Sequence, residues 1–368
     1  MQQINVKISK QESFYPIIFK QGGLNQIQSL FSFKEYIQIC LVTDEKIAPF
    51  WLEQLCSHFD QKLHTLILPS GENQKNLQTI EFCWKYLTEK QFDRKSLLIA
   101  LGGGVIGDIV GFVASTYMRG IDFIQIPTTI IAQSDSSIGG KTGFNFLNQK
   151  NHIGTFYQPK MVLIDVNTLS TLPKRELVQG FAEIIKHGLI FDQELFKFFV
   201  REDIDKITPS QLEKLLVTSC RIKKEIVEQD ERETTGMRKL LNFGHTFGHA
   251  VESLSWQIGV NLLHGEAIAI GILAESFLSF KLGWLSQKEL ELVKKAIINA
   301  NLPVDLSLFK NKIDQKNLVE KLNYLISVDK KNVGKAVNWT LLRKIGEGVF
   351  DVKINDLDIQ EILDYFNF

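Results

Sequence analysis

The strongest constraint on the fold of this chain is an alternation of short apolar runs and helical patterns that fills its first half. Five runs predict β-strands, at 37–42, 65–68, 96–101, 122–126 and 161–165. Helical patterns lie between several of them, notably over 74–90 and 105–118. Strands that alternate with helices predict a mostly parallel, doubly wound α/β sheet. Because ligands of such sheets bind at the carboxyl ends of the strands, the residues that follow each run are candidates for a site.

The second half of the chain has a different pattern. Long amphipathic segments predict helices over 174–189, 209–229, 241–257, 263–282 and 287–300. A strand pattern returns only at 337–342, which predicts one late strand or hairpin. The sequence therefore predicts two domains, an α/β domain over residues 1–172 and a mostly α-helical domain over residues 173–368.

Composition narrows the class of protein. The 368 residues include 42 Lys and Arg against 42 Asp and Glu, so the formal net charge is zero. This balance argues against a nucleic-acid partner, and a 44% apolar fraction argues against disorder. The most apolar stretch, 97–114, is interrupted by glycines and Asp108, so we expect no membrane span. The four cysteines lack a CxxC spacing, and residues 1–7 lack an apolar export signal, which predicts a cytoplasmic protein without a disulfide framework.

A glycine-rich loop follows the third predicted strand and opens a helical pattern. Gly102, Gly104 and Gly107 fit G-x-G-x-x-G, which lets a backbone approach a nucleotide diphosphate at a helix N-terminus. The acidic residue that usually ends the next strand is missing, whereas Asp44 and Glu72 lie at strand ends upstream. Two interpretations stay open, a nucleotide site of different topology and a plain glycine turn.

Other loops at strand ends carry groups suited to phosphate. The loops at 70–75 and 127–129 offer hydroxyls and charges for a ribose phosphate, although such residues also serve as turn and capping residues. Segment 135–143 contains a Gly-Lys-Thr sequence, but Asp135 occupies the place of the first P-loop glycine. Lys141 is therefore either an anion-binding lysine or a solvated lysine in a turn.

Three histidines lie close together in the sequence, His245, His249 and His264. His245 and His249 are four residues apart and share one helix face. Two such histidines form either a divalent metal site or a hydrogen-bonded pair in the core. The third histidine favours the interpretation as a metal site. Glu183, in an apolar helical pattern, is a candidate carboxylate ligand, because a buried acid needs a partner.

Several basic residues could hold a small, strongly anionic substrate beside such a metal, although each alone is more typical of a solvated surface. They are Arg119, Lys141, Lys150, Lys186, Lys223 and Arg238.

These motifs, in this order, resemble those of the 3-dehydroquinate synthase family. The resemblance runs from residue 43 to residue 331 and is densest over 98–190 and 238–270. The segments that carry it are 102–108, 117–120, 127–129, 133–142, 150–151, 172–173, 183–186, 241–249 and 264–266.

The resemblance implies an enzyme of the shikimate pathway of aromatic amino acid biosynthesis. It would convert 3-deoxy-D-arabino-heptulosonate 7-phosphate to 3-dehydroquinate and phosphate, with catalytic NAD and one divalent metal, zinc or cobalt. Oxidation of a ring hydroxyl would acidify the neighbouring C–H, phosphate would leave, the carbonyl would be reduced back, and an aldol step would close the carbocycle. The implied fold is dehydroquinate synthase-like, with the active site in the cleft between an α/β nucleotide domain and a helical metal domain, and the implied assembly is a homodimer.

The resemblance also assigns residues. The metal ligands are Glu183, His245 and His264. The substrate side comprises Arg119, Asp135, Lys141, Asn151, Lys186, Lys223, Arg238, Asn242 and His249. Within that set, His249 would shuttle protons and Asp135 would lie between nicotinamide and substrate. The NAD site comprises Asp44, Ser70, Gly71, Glu72, Lys75, Gly104, Val105, Ile106, Gly107, Asp108, Thr128, Thr129, Lys141, Lys150, Thr168, Leu169, Ser170 and Thr171.

The chain departs from the family pattern in places. Lys46 stands where the motif often has Asn, and the loop 234–236 is one residue longer than usual. Lys223 is chosen as the substrate lysine, with Lys224 as the alternative. Two related activities stay open: another sugar phosphate cyclase, and a metal-dependent polyol dehydrogenase that would release NADH. The sequence disfavours a third class, a non-catalytic metal- or nucleotide-binding protein, because binding alone needs fewer aligned groups than this chain contains.

Overall fold

The computed structural model of the chain describes residues 14–61, 63–147, 149–327, 337–354 and 359–368. Residues 1–7 and 329–331, used in the predictions above, lie outside the described residues. The strands are β1 Ile17–Phe19, β2 Gln38–Asp44, β3 His64–Leu68, β4 Ser96–Gly102, β5 Asp122–Pro127, β6 Lys141–Phe146, β7 Gln149–Phe156, β8 Val162–Ile164, β9 Trp339–Lys344 and β10 Glu347–Val352. The helices are α1 Ile27–Leu30, α2 Ala48–Cys56, α3 Leu77–Glu89, α4 Gly104–Thr116, α5 Lys174–Gln179, α6 Phe181–Phe191, α7 Gln193–Arg201, α8 Pro209–Gln229, α9 His245–Gln257, α10 His264–Lys281, α11 Gln287–Asn299, α12 Gln315–Ser327 and α13 Ile359–Tyr365.

Among the described residues, six parallel strands form the central sheet, in the order β1-β8-β5-β4-β2-β3. The central strand β4 is buried along its whole length because both faces of the sheet are covered. Leu97 and Ile99 pack into the cluster on one face, while Leu98 and Ala100 pack into the cluster on the other. The predicted doubly wound α/β architecture is confirmed.

The strand order places a switch point beside β4. The chain runs from β2 outward to β3, and then crosses back to place β4 on the other side of β2. Loops diverge at such a point and leave a crevice at the carboxyl ends of the strands. The glycine loop after β4 and the residues after β2 line this crevice. The crevice therefore lies at the edge of the sheet where the sequence predicts the candidate site residues.

A β-hairpin that the sequence analysis did not predict follows β5. Strands β6 and β7 pair antiparallel, and most side chains of β7 are exposed, so no apolar alternation marks it. Gly111 of α4 accommodates the hairpin, because an added Cβ there would fall 2.3 Å from Cγ2 of Thr142. Lys141 therefore begins a strand instead of lying in a P-loop.

The helical half agrees with most of its predicted elements. Helix α8 occupies the predicted range 209–229, where the side chain of Thr208 caps its first turn. One helix over 174–189 is wrong: α5 and α6 separate at Gly180, where an added Cβ would fall 2.4 Å from Ile130. The late hairpin is confirmed as β9 and β10. Helices α7, α12 and α13 were not predicted.

Helices α9 and α10 approach closely because glycines face each other. An added Cβ on Gly271 would fall 1.9 Å from the carbonyl oxygen of Gly244. Gly244 also precedes α9 with φ of 80°, a left-handed conformation that favours glycine. This contact brings the histidine-bearing start of α9 against α10.

The chain passes from β8 to α5 through a 3-10 turn at Val166–Thr171. The boundary at residue 172 stays a prediction. Within the described ranges, every helix is too short or too polar to cross a lipid bilayer.

Candidate active site

Three donor side chains converge from three helices of the second half. Glu183 lies on α6, and His245 and His264 are the first residues of α9 and α10. Glu183 Oε1 lies 3.2 Å from Nε2 of His264 and 3.5 Å from Nε2 of His245. Ligand atoms of all three residues lie within 4.8 Å of one another. One carboxylate and two imidazoles at this spacing are a donor set for zinc or cobalt, so the three residues fit a divalent metal.

The charge of Glu183 is held by its surroundings. Its side chain is 1% exposed, and its second oxygen pairs with the ammonium of Lys186. Burial by itself would raise the pKa of Glu183, but Lys186 and the two imidazoles hold it well below its usual range. The carboxylate is therefore ionised, as a metal ligand has to be.

His249 lies beside this centre. Its ring centroid is 5.1 Å from that of His245 and 5.9 Å from that of His264. A second candidate donor group, His249, Glu252 and His264, shares the last histidine with the first group. The predicted histidine cluster therefore forms, and it offers two overlapping donor sets.

A charged pair connects the two halves of the chain at Asp135. This residue lies in a turn of π-helix, Ala132–Ser136, a form that recurs at functional sites. Lys223 of α8 donates to its carboxylate over 2.7 Å and to its carbonyl oxygen over 2.6 Å. Burial would raise the pKa of Asp135, but Lys223 and Lys186 together lower it. Lys224 instead pairs with Glu228 on the exposed face of α8, so the geometry favours Lys223 over Lys224.

His187 packs behind Asp135 and is fully buried. Its Nδ1 lies 2.6 Å from the hydroxyl oxygen of Ser219, and its Nε2 lies 3.7 Å from Asp135 Oδ1. Burial, together with the charge of Lys186, lowers the pKa of His187 to about 3. The ring is therefore neutral and faces the carboxylate as a dipole.

Arg238 and Lys141 bring further positive charge to the same region. Arg238 is 3% exposed and donates to the carbonyl oxygens of Gly139, over 3.2 Å, and Glu231, over 2.7 Å. Lys141 pairs with Glu233, from the loop that follows α8. This loop lies between α8 and the 3-10 turn Met237–Asn242, whose last residue, Asn242, is half-buried just before α9.

Asp230 holds that loop in place. Its carboxylate accepts backbone N–H bonds from Thr234, Thr235 and Arg238 over 2.7, 2.9 and 3.1 Å. Burial would raise the pKa of Asp230, but these bonds lower it to about 2. Because the pKa lies below its ordinary value, the ionised group stabilises the fold near neutral pH, and this contribution is lost as the pH falls towards 2.

We expect Asp230→Asn to lower Tm at pH 7 by roughly 2–5 °C, because an amide nitrogen replaces an acceptor of a backbone N–H. Thermal unfolding followed by circular dichroism measures the change. The difference from the wild type should shrink as the pH falls from about 4 to about 2, because the carboxyl group becomes protonated over this range. Asp305→Asn is the matched control, since Asp305 accepts a backbone bond from Ser307, over 2.8 Å, in an exposed loop. An equal effect of both variants would contradict the role given to Asp230.

The crevice at the carboxyl edge carries the predicted cofactor residues. Gly104, Val105, Ile106, Gly107 and Asp108 form the first turns of α4, whose N-terminus has no side-chain cap. Asp108 pairs with the buried Lys75, which also donates to Asn151 of β7. Burial would raise the pKa of Asp108, and although Lys75 opposes this, the net shift is upward.

The other strand ends contribute polar groups to the same edge. Asp44 accepts a bond from the hydroxyl of Ser70 over 2.7 Å, which joins the loops after β2 and β3. The exposed residues Gly71 and Glu72 follow, and Glu72 accepts from Asn145 over 2.8 Å. Thr128 directly follows β5 and has a buried hydroxyl without a partner in the described part of the chain. An orphaned buried hydroxyl fits a site that a ligand completes.

The segment after β8 lies against this edge but differs in exposure. Thr168 is buried and accepts a bond from Gln133 over 3.0 Å, while Thr171 accepts one from the indole of Trp51 over 2.9 Å. Leu169 is buried and Ser170 is exposed. Thr129 caps the turn that carries Asp135, by accepting from Ala132 over 3.1 Å.

Arg119 lies apart from the other basic residues. It follows α4 in an exposed turn, Tyr117–Arg119, just before β5 begins. Because α4 returns the chain to the amino edge of the sheet, this turn lies at the edge opposite to the crevice. The single chain does not bring Arg119 to the anionic site, and its assignment to the substrate stays a prediction.

Several residues of the site were missed by sequence reasoning: Gln133, Glu233, Glu252 and Glu275. Gln133 joins the end of β5 to the segment after β8, donating to Pro127, Asp165 and Thr168. Glu275 is fully buried on α10 and accepts from the backbone at the start of α9. Like Glu183, Glu275 is an acid within an apolar helical pattern, so its sequence context marks it as a candidate in the same way.

Comparisons with known proteins bear on this arrangement. The family model for the 3-dehydroquinate synthase N-terminal domain matches residues 65–179, and the model for the C-terminal domain matches residues 180–332. A 3-dehydroquinate synthase from Ruminiclostridium cellulolyticum is 40% identical over 368 residues, covering 98% of this chain and 99% of the relative. One from Thermodesulfovibrio yellowstonii is 39% identical over 374 residues, covering 99% of each.

Solved structures agree in fold. A 2-epi-5-epi-valiolone synthase from Streptomyces hygroscopicus, with NAD+ and Zn2+ bound, superposes with a TM-score of 0.84 at 27% identity, covering 99% of each chain. A 2-deoxy-scyllo-inosose synthase complexed with carbaglucose-6-phosphate, NAD+ and Co2+ superposes with a TM-score of 0.83 at 24% identity, covering 95% of this chain and 96% of that one. From the two family models and the near-full-length relatives, the chain belongs to the 3-dehydroquinate synthase family.

Proposed function

We propose that this chain converts 3-deoxy-D-arabino-heptulosonate 7-phosphate to 3-dehydroquinate and phosphate, using NAD as a recycled cofactor and one divalent metal. The observation that carries the proposal is the convergence of Glu183, His245 and His264 beside a group of buried and half-buried cations. This combination suits a small substrate that carries a carboxylate, a phosphate and several hydroxyl groups.

Glu183, His245 and His264 would hold the metal. When bound, it would supply a Lewis acid for a substrate oxygen. His249 lies beside these residues, and a carboxylate oxygen of Asp135, which pairs with Lys223, lies within 4.8 Å of one of Glu183. Lys186 keeps the buried carboxylate of Glu183 ionised before the metal arrives.

The crevice beside β4 would hold NAD. The uncapped N-terminus of α4 would offer backbone N–H groups to a pyrophosphate, and the hydroxyl of Thr128 lacks a partner among the described residues. Asp44 and Glu72 lie at the outer strand ends, where carboxylates can accept bonds from ribose hydroxyls. When bound, NAD would supply a reversible acceptor for hydride.

The basic residues would bind the anionic groups of the substrate. Lys141 and Arg238 flank the loop that follows α8, and Lys186 lies behind the metal ligands. Lys223 keeps Asp135 ionised, so the region offers one fixed negative charge among several positive ones. Such an arrangement orients a substrate that has both acidic groups and hydroxyl donors.

His249 would move the proton. Its ring lies on the same face of α9 as His245, one turn away, with the two ring centroids 5.1 Å apart. An imidazole there can take a proton from a hydroxyl that becomes oxidised and return it when the carbonyl is reduced. The substrate phosphate can accept the C–H proton as it leaves, so no further base is assigned.

The decisive experiment incubates the purified protein with the heptulosonate phosphate, catalytic NAD and zinc. We expect phosphate release to exceed the NAD supplied many times over, without accumulation of NADH. Stoichiometric NADH would indicate a polyol dehydrogenase, and no phosphate release would contradict the proposal. Product identification by mass spectrometry separates 3-dehydroquinate from the product of another sugar phosphate cyclase.

Two further properties complete the proposal. The chain would act as a homodimer, as its family resemblance implies, and in the cytoplasm, as its sequence predicts. Sedimentation of the purified protein measures the first property, and a monomer would contradict it.

A further inference from the structure

The carboxylate of Glu252 contacts two residues of the site at once. It lies on α9, one turn beyond His249, and the residue is 7% exposed. Its Oε2 lies 3.2 Å from Nδ1 of His264. Its Oε1 accepts from the ammonium of Lys150, on β7, over 2.7 Å. One buried carboxylate therefore connects a metal ligand of the helical half to a hairpin residue of the α/β half.

The contact with His264 has a direction. An imidazole has two nitrogens, and a carboxylate that accepts the Nδ1 proton leaves the lone pair of Nε2 for a metal. In this chain Nε2 of His264 faces Glu183 Oε1 at 3.2 Å, within the donor group described above. With a metal at Nε2, the contact from Glu252 would select the Nδ1–H tautomer and hold the ring in this orientation.

We propose that Glu252 is a positioning residue, which orients His264 for the metal and ties this ligand to Lys150 of the hairpin. The proposal rests on the proposed metal site of Glu183, His245 and His264. Replacing Lys150 therefore changes the affinity of the metal site through Glu252, although Lys150 is not itself a metal ligand. Metal affinity and the position of the hairpin are then linked, and linkage of this kind is reciprocal.

A different role for Glu252 would be as a ligand of a second metal, together with His249 and His264, whose donor atoms also lie within 4.8 Å of one another. The contacts favour the positioning role. Both oxygens of Glu252 already face a donor, an imidazole nitrogen and an ammonium group. A cation on this carboxylate would have to displace the ammonium of Lys150 or lie beside it, at a cost in charge repulsion.

The test measures zinc affinity of the metal-free full chain by competition with a chromophoric chelator. Glu252→Met removes both contacts at similar volume, and we expect it to weaken zinc binding about 10- to 100-fold. Glu252→Gln keeps an acceptor for Nδ1 but removes the charge, and we expect a smaller loss of roughly threefold to tenfold. The d–d absorption of the cobalt-loaded protein should change in the Met variant and change less in the Gln variant.

Glu266→Gln is the matched control. Glu266 supports the same helix start by accepting from the backbone of Leu263, over 2.8 Å, and from Arg175, but it does not contact the ring of His264. We expect its zinc affinity to stay within about threefold of the wild type. Equal losses in the Glu266 and Glu252 variants would mean that α10 is merely loosened, and would overturn the positioning role.

Lys150→Met tests the connection to the hairpin. It should weaken zinc binding by roughly twofold to fivefold in the wild-type background and have no further effect in the Glu252→Met background. Additive effects would overturn the connection.

The remaining outcomes are distinct. If both Glu252 variants had the zinc affinity and the cobalt spectrum of the wild type, the proposal would be overturned. If the Met variant does not fold, the Gln variant alone decides the test. Two zinc ions per wild-type chain would assign Glu252 to a second metal instead. A wild-type chain without zinc affinity would contradict the proposed metal site itself.

Discussion

Replacing His264 by alanine should remove metal and turnover together. The substitution deletes one of three donors, and the remaining pair, Glu183 and His245, cannot complete a catalytic zinc site. We expect turnover to fall about a thousandfold or more, because a Lewis acid in such a site is worth several kcal/mol. Metal content of the dialysed protein, measured by atomic emission, and phosphate release at saturating substrate give the two readouts.

His249→Ala is the matched control, because the two rings lie 5.9 Å apart beside the same centre. We expect this variant to retain its metal and to lose turnover by about a hundredfold to ten-thousandfold, as loss of a proton-transfer group does. The pair of variants also separates the two overlapping donor groups. Metal loss in His249→Ala, with retention in His264→Ala, would reject the assignment of the ligands.

The second large effect concerns stability and arises at Glu275. Its carboxylate accepts backbone N–H bonds from Gly244, Thr246 and Phe247 over 2.6, 2.9 and 3.1 Å, in a fully buried position. These are orphan donors of the first turn of α9, which has no side-chain cap of its own. A negative charge at this end also complements the helix dipole.

We expect Glu275→Ala to lower the free energy of unfolding by about 3–5 kcal/mol, since several buried N–H groups lose their acceptor. Glu275→Gln should recover part of this loss because its carbonyl oxygen still accepts. Urea unfolding measures both. Zinc affinity of the Ala variant should also fall, because His245 is the first residue of the helix that Glu275 holds.

Ser276→Ala, at the adjacent position, is the control for a small change in the same helix. Ser276 is also fully buried, and its hydroxyl has no hydrogen-bond partner among the described residues. Its removal should leave stability within about 0.5 kcal/mol of the wild type or raise it slightly. If Glu275→Ala and Ser276→Ala unfolded alike, the capping role of Glu275 would be wrong.

Local patterns predicted the sheet strands that are buried on both faces. The run at 96–101 is continuously apolar because Leu97 and Leu98 contact opposite layers of helices, and this composition is visible without the structure. Strand β7 gave no such signal, since most of its side chains are exposed. The sequence also showed no sign of the break between α5 and α6. The close contact that requires glycine at position 180 is made with Ile130, which is far away in the sequence.

The sequence by itself determined the order of the elements and the chemistry of the donors. Periodicity marks helices and strands, and the side chains of Glu183, His245 and His264 are metal ligands by their chemical nature. Distances between these residues were decided only by the tertiary structure. They depend on close packing of α9 against α10, where Gly271 admits the backbone of Gly244.

The partners of the buried charges were likewise decided by the fold. Lys223 faces Asp135, Glu275 caps a helix other than its own, and Glu252 lies between His264 and Lys150. A sequence shows that a buried acid requires a partner, since an unpaired charge is costly in an apolar interior. Which partner it meets depends on contacts between residues that are distant in the chain, and packing alone sets those contacts.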